Sequence, residues 1–169
     1  LKSDSFEEYK EFWKEYGLVL KEGPAEDFEN KELIANLLLF SSSSSSENSA
    51  DQGLDDYLDR MSDDQDKIDY CVADTFEAAA NSPHIEGLKS KGTEVILLTD
   101  RIDEWLMAGL MEYKGKELVN VAKEDIADDD SNKKVSEADQ GLVEKIKKHL
   151  NEKVSEVVVS SRLTDSASC

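Results

Sequence analysis

The chain has 169 residues, enough for one medium domain or two small ones with a real core. Its formal net charge of -19, from 39 acidic against 20 basic residues, opposes a nucleic-acid or anionic-membrane surface unless a basic patch stands against the average field, and no such patch is visible. No apolar run approaches the roughly 20 residues that a spanning helix needs. Cys71 and Cys169 lie far apart, and Cys71 falls in an alternating apolar segment where a free buried thiol is the expected state, so a reducing compartment, the cytoplasm, is expected.

From the N-terminus, Ser5 with Glu8 three residues on predicts a capping box that opens a first helix. Phe6, Tyr9, Trp13, Tyr16 and Leu20 recur at spacings of three and four, an aromatic face that must pack on something; Gly17 is a candidate kink, and Gly23 and Pro24 are expected to end the helix. A second helix carries Leu33, Ile34, Leu37 and Leu38, so residues 1–40 read as an all-helical connector. The run "SSSSSSENSADQG" (41–53) has no apolar periodicity and is expected as a surface loop and boundary.

Residues 54–123 read as a small α/β unit. Leu54, Tyr57, Leu58 and Met61 make a short helix, and "KIDYCVA" alternates Ile68, Tyr70 and Val72 against Asp69 and Cys71 as a strand. Asp74 is expected to cap a helix with Glu77 at its third position, and Ser82 and Pro83 to start another that Lys91 and Gly92 close. "EVILLTD" is a short continuous apolar run, as in a central strand covered on both faces, so the intervening helices form a βαβ crossover with a parallel pair. A helix over 100–111 and a strand around 118–121 follow. Residues 124–136 are acidic and polar, a linker; residues 137–169 open a further α+β domain with a helix bearing Leu142, Val143, Ile146 and Leu150, then a strand over 154–163 that finds no partner hairpin. A piece of a longer protein is therefore expected. The fold class is α/β: a helical connector, a small αβα sandwich, and the start of an α+β domain.

Chemistry is sparse. Asp128, Asp130, Asn132 and Asp139 have the spacing of a calcium loop, but Lys133 stands where the sharp turn needs glycine and Asp139 where a bidentate glutamate belongs. His84 and His149 have no nucleophile elbow or zinc-ligand companions nearby in sequence, and no glycine-rich phosphate motif is present. Neither catalytic nor metal residues are expected.

What stands out is "TDRIDEWLMAGLMEY" (99–113). At about 100° per residue Ile102, Leu106 and Leu110 form a core stripe, which leaves Met107, Met111 and Glu104 on nearly the opposite side and Trp105 at the edge. A second packing partner would explain this. So would an exposed binding face, since methionine adapts to varied partners and tryptophan supplies area with one polar donor, while Asp103, Glu104 and Glu112 keep the rim wet.

The segments "FWKEYGLVLKEGPAEDFENKELIANLL", "LDDYLDRM", "LLTDRIDEWLM" and "SSRLTDS" closely resemble, in this order and spacing, those of the ninety-kilodalton heat-shock chaperones, most like their bacterial form. The likeness covers nearly the whole chain; it departs at the serine run 41–46 and at "DSASC", where the family more often has proline after the last serine. The resemblance implies a homodimeric, ATP-dependent stress chaperone that assists protein folding, of which this chain holds the later middle domain and the start of the C-terminal domain. ATP and Mg would then be bound upstream of Leu1 and the dimer formed beyond Cys169, so the chain itself would carry no catalysis and no cofactor. In the family, the residues matching Asp103, Glu104 and Trp105 belong to a surface that contacts client proteins. The candidate client-binding set is therefore Asp103, Glu104, Trp105, Met107 and Met111, with partly folded polypeptides as partners and neither nucleic acid nor membrane. The alternative is an interdomain segment whose role is structural, with Trp105 and both methionines covered.

Overall fold

The alternating segment becomes the middle strand of a five-stranded sheet. In the computed structural model, which describes residues 2, 4–45, 48–62, 65–123, 137–150, 154 and 157, β2 (Lys67–Val72) lies between β3 (Ile96–Leu98) and β5 (Lys116–Asn120) and runs parallel to both. Two-residue strands close the edges: β1 (Ser41–Ser42) antiparallel on β3 and β4 (Glu112–Tyr113) antiparallel on β5. Because β2 has a strand on either side and helices over both faces, its alternation does not separate core from solvent. Asp69 and Cys71 are as buried as Ile68.

The expected crossover is present. From β2 the chain passes through α4 (Phe76–Ala80) and α5 (Pro83–Ser90) to the parallel β3. Ser82 caps α5, accepting from the His84 backbone N–H with Pro83 in the first turn. The α4 cap is Thr75, not Asp74: the threonine hydroxyl accepts from the Ala78 N–H at 3.1 Å. These two helices cover one face with Cys71, Ala79, Ile85, Val95, Leu97 and Val121.

The other face is covered by α1 (Phe6–Glu26), α2 (Lys31–Leu37), α3 (Leu54–Arg60) and α6 (Asp103–Gly109). One apolar cluster there joins Tyr9, Trp13, Leu38, Phe40, Leu54, Ile68, Leu98, Leu106 and Leu118, so the entry helices share a core with the sheet. Layers of helix, sheet and helix make the expected αβα sandwich.

Three local expectations are corrected. Ser5 precedes α1 but makes no side-chain cap bond. The helix does not stop at Gly23: it runs through Pro24 to Glu26, with the Asp27 N–H bonded to the Gly23 carbonyl. A proline crowds the Cβ of the residue before it, and Gly23 has none; the same space admits Ile34 of α2, whose Cγ2 sits 2.8 Å from where a Cβ would be. The serine run is not wholly loop. Ser41 and Ser42 are buried in β1, pairing with Leu97 and Ile96, and the hydroxyls serve as local partners: Ser41 Oγ donates to Asn48 Oδ1, Ser42 Oγ accepts from the Ser44 N–H, and Ser43 Oγ accepts from the Val95 N–H. Buried polar groups need such bonds.

The helix expected after the linker is α7 (Glu137–Leu150), with Leu142 and Ile146 exposed. The acidic linker with its calcium-like spacing lies outside the described residues. So, apart from Val154 and Val157, does the strand expected over 154–163.

Candidate protein-binding surface

The helix that carries the unexplained tryptophan is short. α6 spans seven residues, too few to be stable alone, and α1 holds it at both ends. At its start, the Asp103 N–H bonds to the Asp100 carbonyl at 2.9 Å while the Asp103 carboxylate accepts from the Asp100 N–H, also at 2.9 Å. Lys21 of α1 places its ammonium 2.7 Å from Asp100 Oδ2 and 2.7 Å from Asp103 Oδ1, with the Phe40 ring 5.8 Å away. Asp103 is fully buried and Lys21 nearly so. At the other end, a Cβ on Gly109 would lie 2.6 Å from Ala25 Cα, so the two helices touch backbone to backbone and any larger residue would force them apart.

Between these contacts α6 turns a definite side inward. Leu106, Met107, Leu110 and Asp103 face inward, an arc turned by roughly 50° from the stripe through Ile102, Leu106 and Leu110 at 100° per residue. Met107 is thus only 8% exposed and belongs to the core cluster. Asp103, which hydrophobic patterning assigns to solvent, lies inside against Lys21. The helix also ends earlier than expected, at Gly109, with the Leu110 N–H bonded to the Leu106 carbonyl. Met111 lies beyond it and is 65% exposed.

The five candidate residues therefore separate. Glu104, Trp105 and Met111 face solvent, Trp105 at 57% exposure, whereas Asp103 and Met107 are interior. Ala108 and Glu112 are exposed between and beside them. Lys21 and Gly109 were not among the expected site residues. A signal for Lys21 was present: it continues the row Tyr9, Trp13, Gly17, Lys21 at four-residue spacing, and all four are buried.

A cleft of about 70 Å3 lined by residues including Tyr57, Arg60, Lys91 and Glu94 is far below the roughly 300–1,000 Å3 of ligand pockets, and its Arg60 is held by Glu94 through two bonds of 2.8 and 2.9 Å. Among the described residues no three His, Cys, Asp or Glu side chains converge as metal ligands.

Comparison with solved structures gives the class of the unit: the middle domain of a heat shock protein from Plasmodium falciparum matches with a TM-score of 0.62 at 37% identity, over 67% of this chain and 47% of that one. The model for the Hsp90 protein family matches residues 2–169. The chaperone protein HtpG of Shewanella denitrificans is 51% identical and that of Chromobacterium violaceum 50%, each aligned with all of this chain and 28% of its own length. The chain belongs to the Hsp90 family. It spans little more than a quarter of the curated relatives it matches.

Proposed function

We propose that the chain is the polypeptide-contacting part of an ATP-dependent, homodimeric heat-shock chaperone, in which Trp105 and Glu104 of α6, with Met111 just past its end, face partly folded proteins. The exposure of Trp105 carries this reading: a tryptophan has the largest apolar area of any side chain, and leaving more than half of it in water on a helix that is anchored elsewhere forgoes stability that burial would supply. Met111 adds an adaptable apolar contact, and Glu104 and Glu112 keep the patch hydrated. Asp103 and Met107 drop out as contact residues, because their side chains are taken up inside. They support the surface from behind.

ATP turnover, the cofactors ATP and Mg, and dimer formation are assigned to parts of the protein outside this chain, on the family resemblance. Residues 124–136 are read as a linker and 137–169 as the opening of a following domain, so the chain also couples neighbouring domains. The cytoplasm is the compartment that the free, buried Cys71 thiol supports.

Replacing Trp105 by arginine tests the reading. Affinity for a permanently unfolded probe, reduced carboxymethylated lactalbumin, should fall at least about 10-fold, as expected for loss of a central aromatic contact. The urea unfolding free energy should change by no more than about 0.5 kcal/mol, as for an exposed position. Unchanged affinity would remove the proposal.

A further inference from the structure

We infer that Lys21 is the positioning residue of the Trp105 surface: its ammonium, set between Asp100 and Asp103, fixes the rotation of α6 that turns Trp105 outward. The inference rests on the reading of that surface as a polypeptide-binding one, but its geometry stands separately. Lys21 is 5% exposed, and its partners are two carboxylates, each 2.7 Å away, on the turn that starts α6. Asp103 is two residues before Trp105, so where the one side chain points determines where the other does.

Apolar contacts alone would not select this rotation. Leu106 and Leu110 are wholly buried, but apolar packing is non-directional and would tolerate Ile102 in place of Asp103 on the inner arc. The charged contact does select it: the Lys21 ammonium donates to Asp100 Oδ2 and lies 2.7 Å from Asp103 Oδ1 as an ion pair, and so holds that carboxylate, and no apolar neighbour, on the inner arc. Lys21 and Ala25 lie one turn apart on α1, and they hold the two ends of α6 through Asp103 and Gly109 respectively. The long helix thereby acts as a jig for the short one. Any shift of α1 along its axis would carry α6, and the face around Trp105, with it.

The test uses the 169-residue chain labelled with 5-fluorotryptophan, whose two fluorine resonances are assigned by the loss of one in Trp105→Phe. Lys21→Met leaves Asp103 as an uncompensated buried charge, so the deciding variant is Lys21→Met/Asp103→Asn, which removes both charges. If Lys21 positions α6, the double variant regains the wild-type unfolding midpoint, yet its Trp105 resonance shifts or splits and loses part of its broadening by a soluble paramagnetic agent, and affinity for carboxymethylated lactalbumin drops at least 5-fold. If Lys21 serves only as a counter-charge, stability, resonance and affinity all return together, and the inference is overturned. Asp100→Asn, at a half-exposed side chain, keeps the Asp103 pair and serves if the double variant does not fold; it should move the Trp105 resonance in the same direction by less, and an unmoved line there also overturns the inference. Should the wild-type chain fail to bind the unfolded probe, the functional reading falls while the fluorine measurements still decide the role of Lys21.

Discussion

The two faces of the sheet are held by different means. Under α4 and α5 the contacts are apolar, from Cys71 to Val121, and each helix is started by a local hydroxyl cap. Under α1, α3 and α6 the apolar cluster is larger, but it also encloses the ammonium of Lys21 against Asp103 and a phenol network in which Tyr57 Oη donates to the Glu94 carbonyl while accepting from the Asp69 N–H. The first face is fixed by area and the second by area plus direction. Only the second carries an outward-facing tryptophan, on the helix whose orientation the buried charges set.

The largest expected effect separates the faces directly. Lys21→Met should lower the unfolding free energy by about 3–5 kcal/mol, because it orphans a buried carboxylate, whereas Ile85→Val beneath α5 should cost about 0.5–1.5 kcal/mol; urea unfolding of both variants gives the ratio. Equal losses would erase the distinction. Next, Met107→Ala should cost about 2–4 kcal/mol through the cavity it leaves, and Met111→Ala, at an exposed position, no more than about 0.5 kcal/mol. The pair measures how sharply the inner arc of α6 ends.

Alkali provides a smaller test. Burial, helped by the nearby Asp69 and Glu94 carboxylates and opposed by hydrogen bonds from the Asp69 N–H and Gln65, pushes the Tyr57 phenol up to about 12 from 10.0, and Tyr113 is raised in the same direction. A phenol whose folded value is raised gives stability that is complete below its unfolded value and lost as pH climbs through the folded one. The decline should therefore fall between about pH 10 and 12 and reach on the order of 2 kcal/mol for Tyr57; urea midpoints across that range should fall, and Tyr57→Phe should flatten the slope. On the opposite face burial raises the Cys71 thiol, so its reaction with a thiol reagent at pH 8 should be slow until the protein unfolds. Thr75→Ala should remove a cap worth about 1 kcal/mol, measurable by the same urea titration.

What periodicity and capping could read was mostly the apolar face. The Ser82 cap, the β2 to β3 crossover and the covered strand at 96–98 depend on local chemistry and on runs of apolar residues, and all are present. Errors gather where a polar residue is inside for a reason that lies elsewhere in the chain. Asp103 is buried because of Lys21, 82 positions earlier in sequence, and this one pair moves Met107 from the surface to the core. Ser41 and Ser42 became strand because β3 offered an open ladder and their own hydroxyls met the neighbouring polar groups; no window around 41–53 shows that. The candidate site was legible as a helix with a tryptophan outside its core stripe, but whether that tryptophan was covered, and how the helix was rotated, are tertiary properties that the sequence pattern left open.

The shortness of the outer strands has its own consequence. A sheet rim is a template on which stray extended chain can add itself, and among the described residues each edge strand is only two residues long. On the proposed function, the molecule works among chains whose amides and carbonyls are looking for such a template. With so little ladder to offer, it can hold them by side chains and let go again, where a longer rim would recruit them as permanent strands.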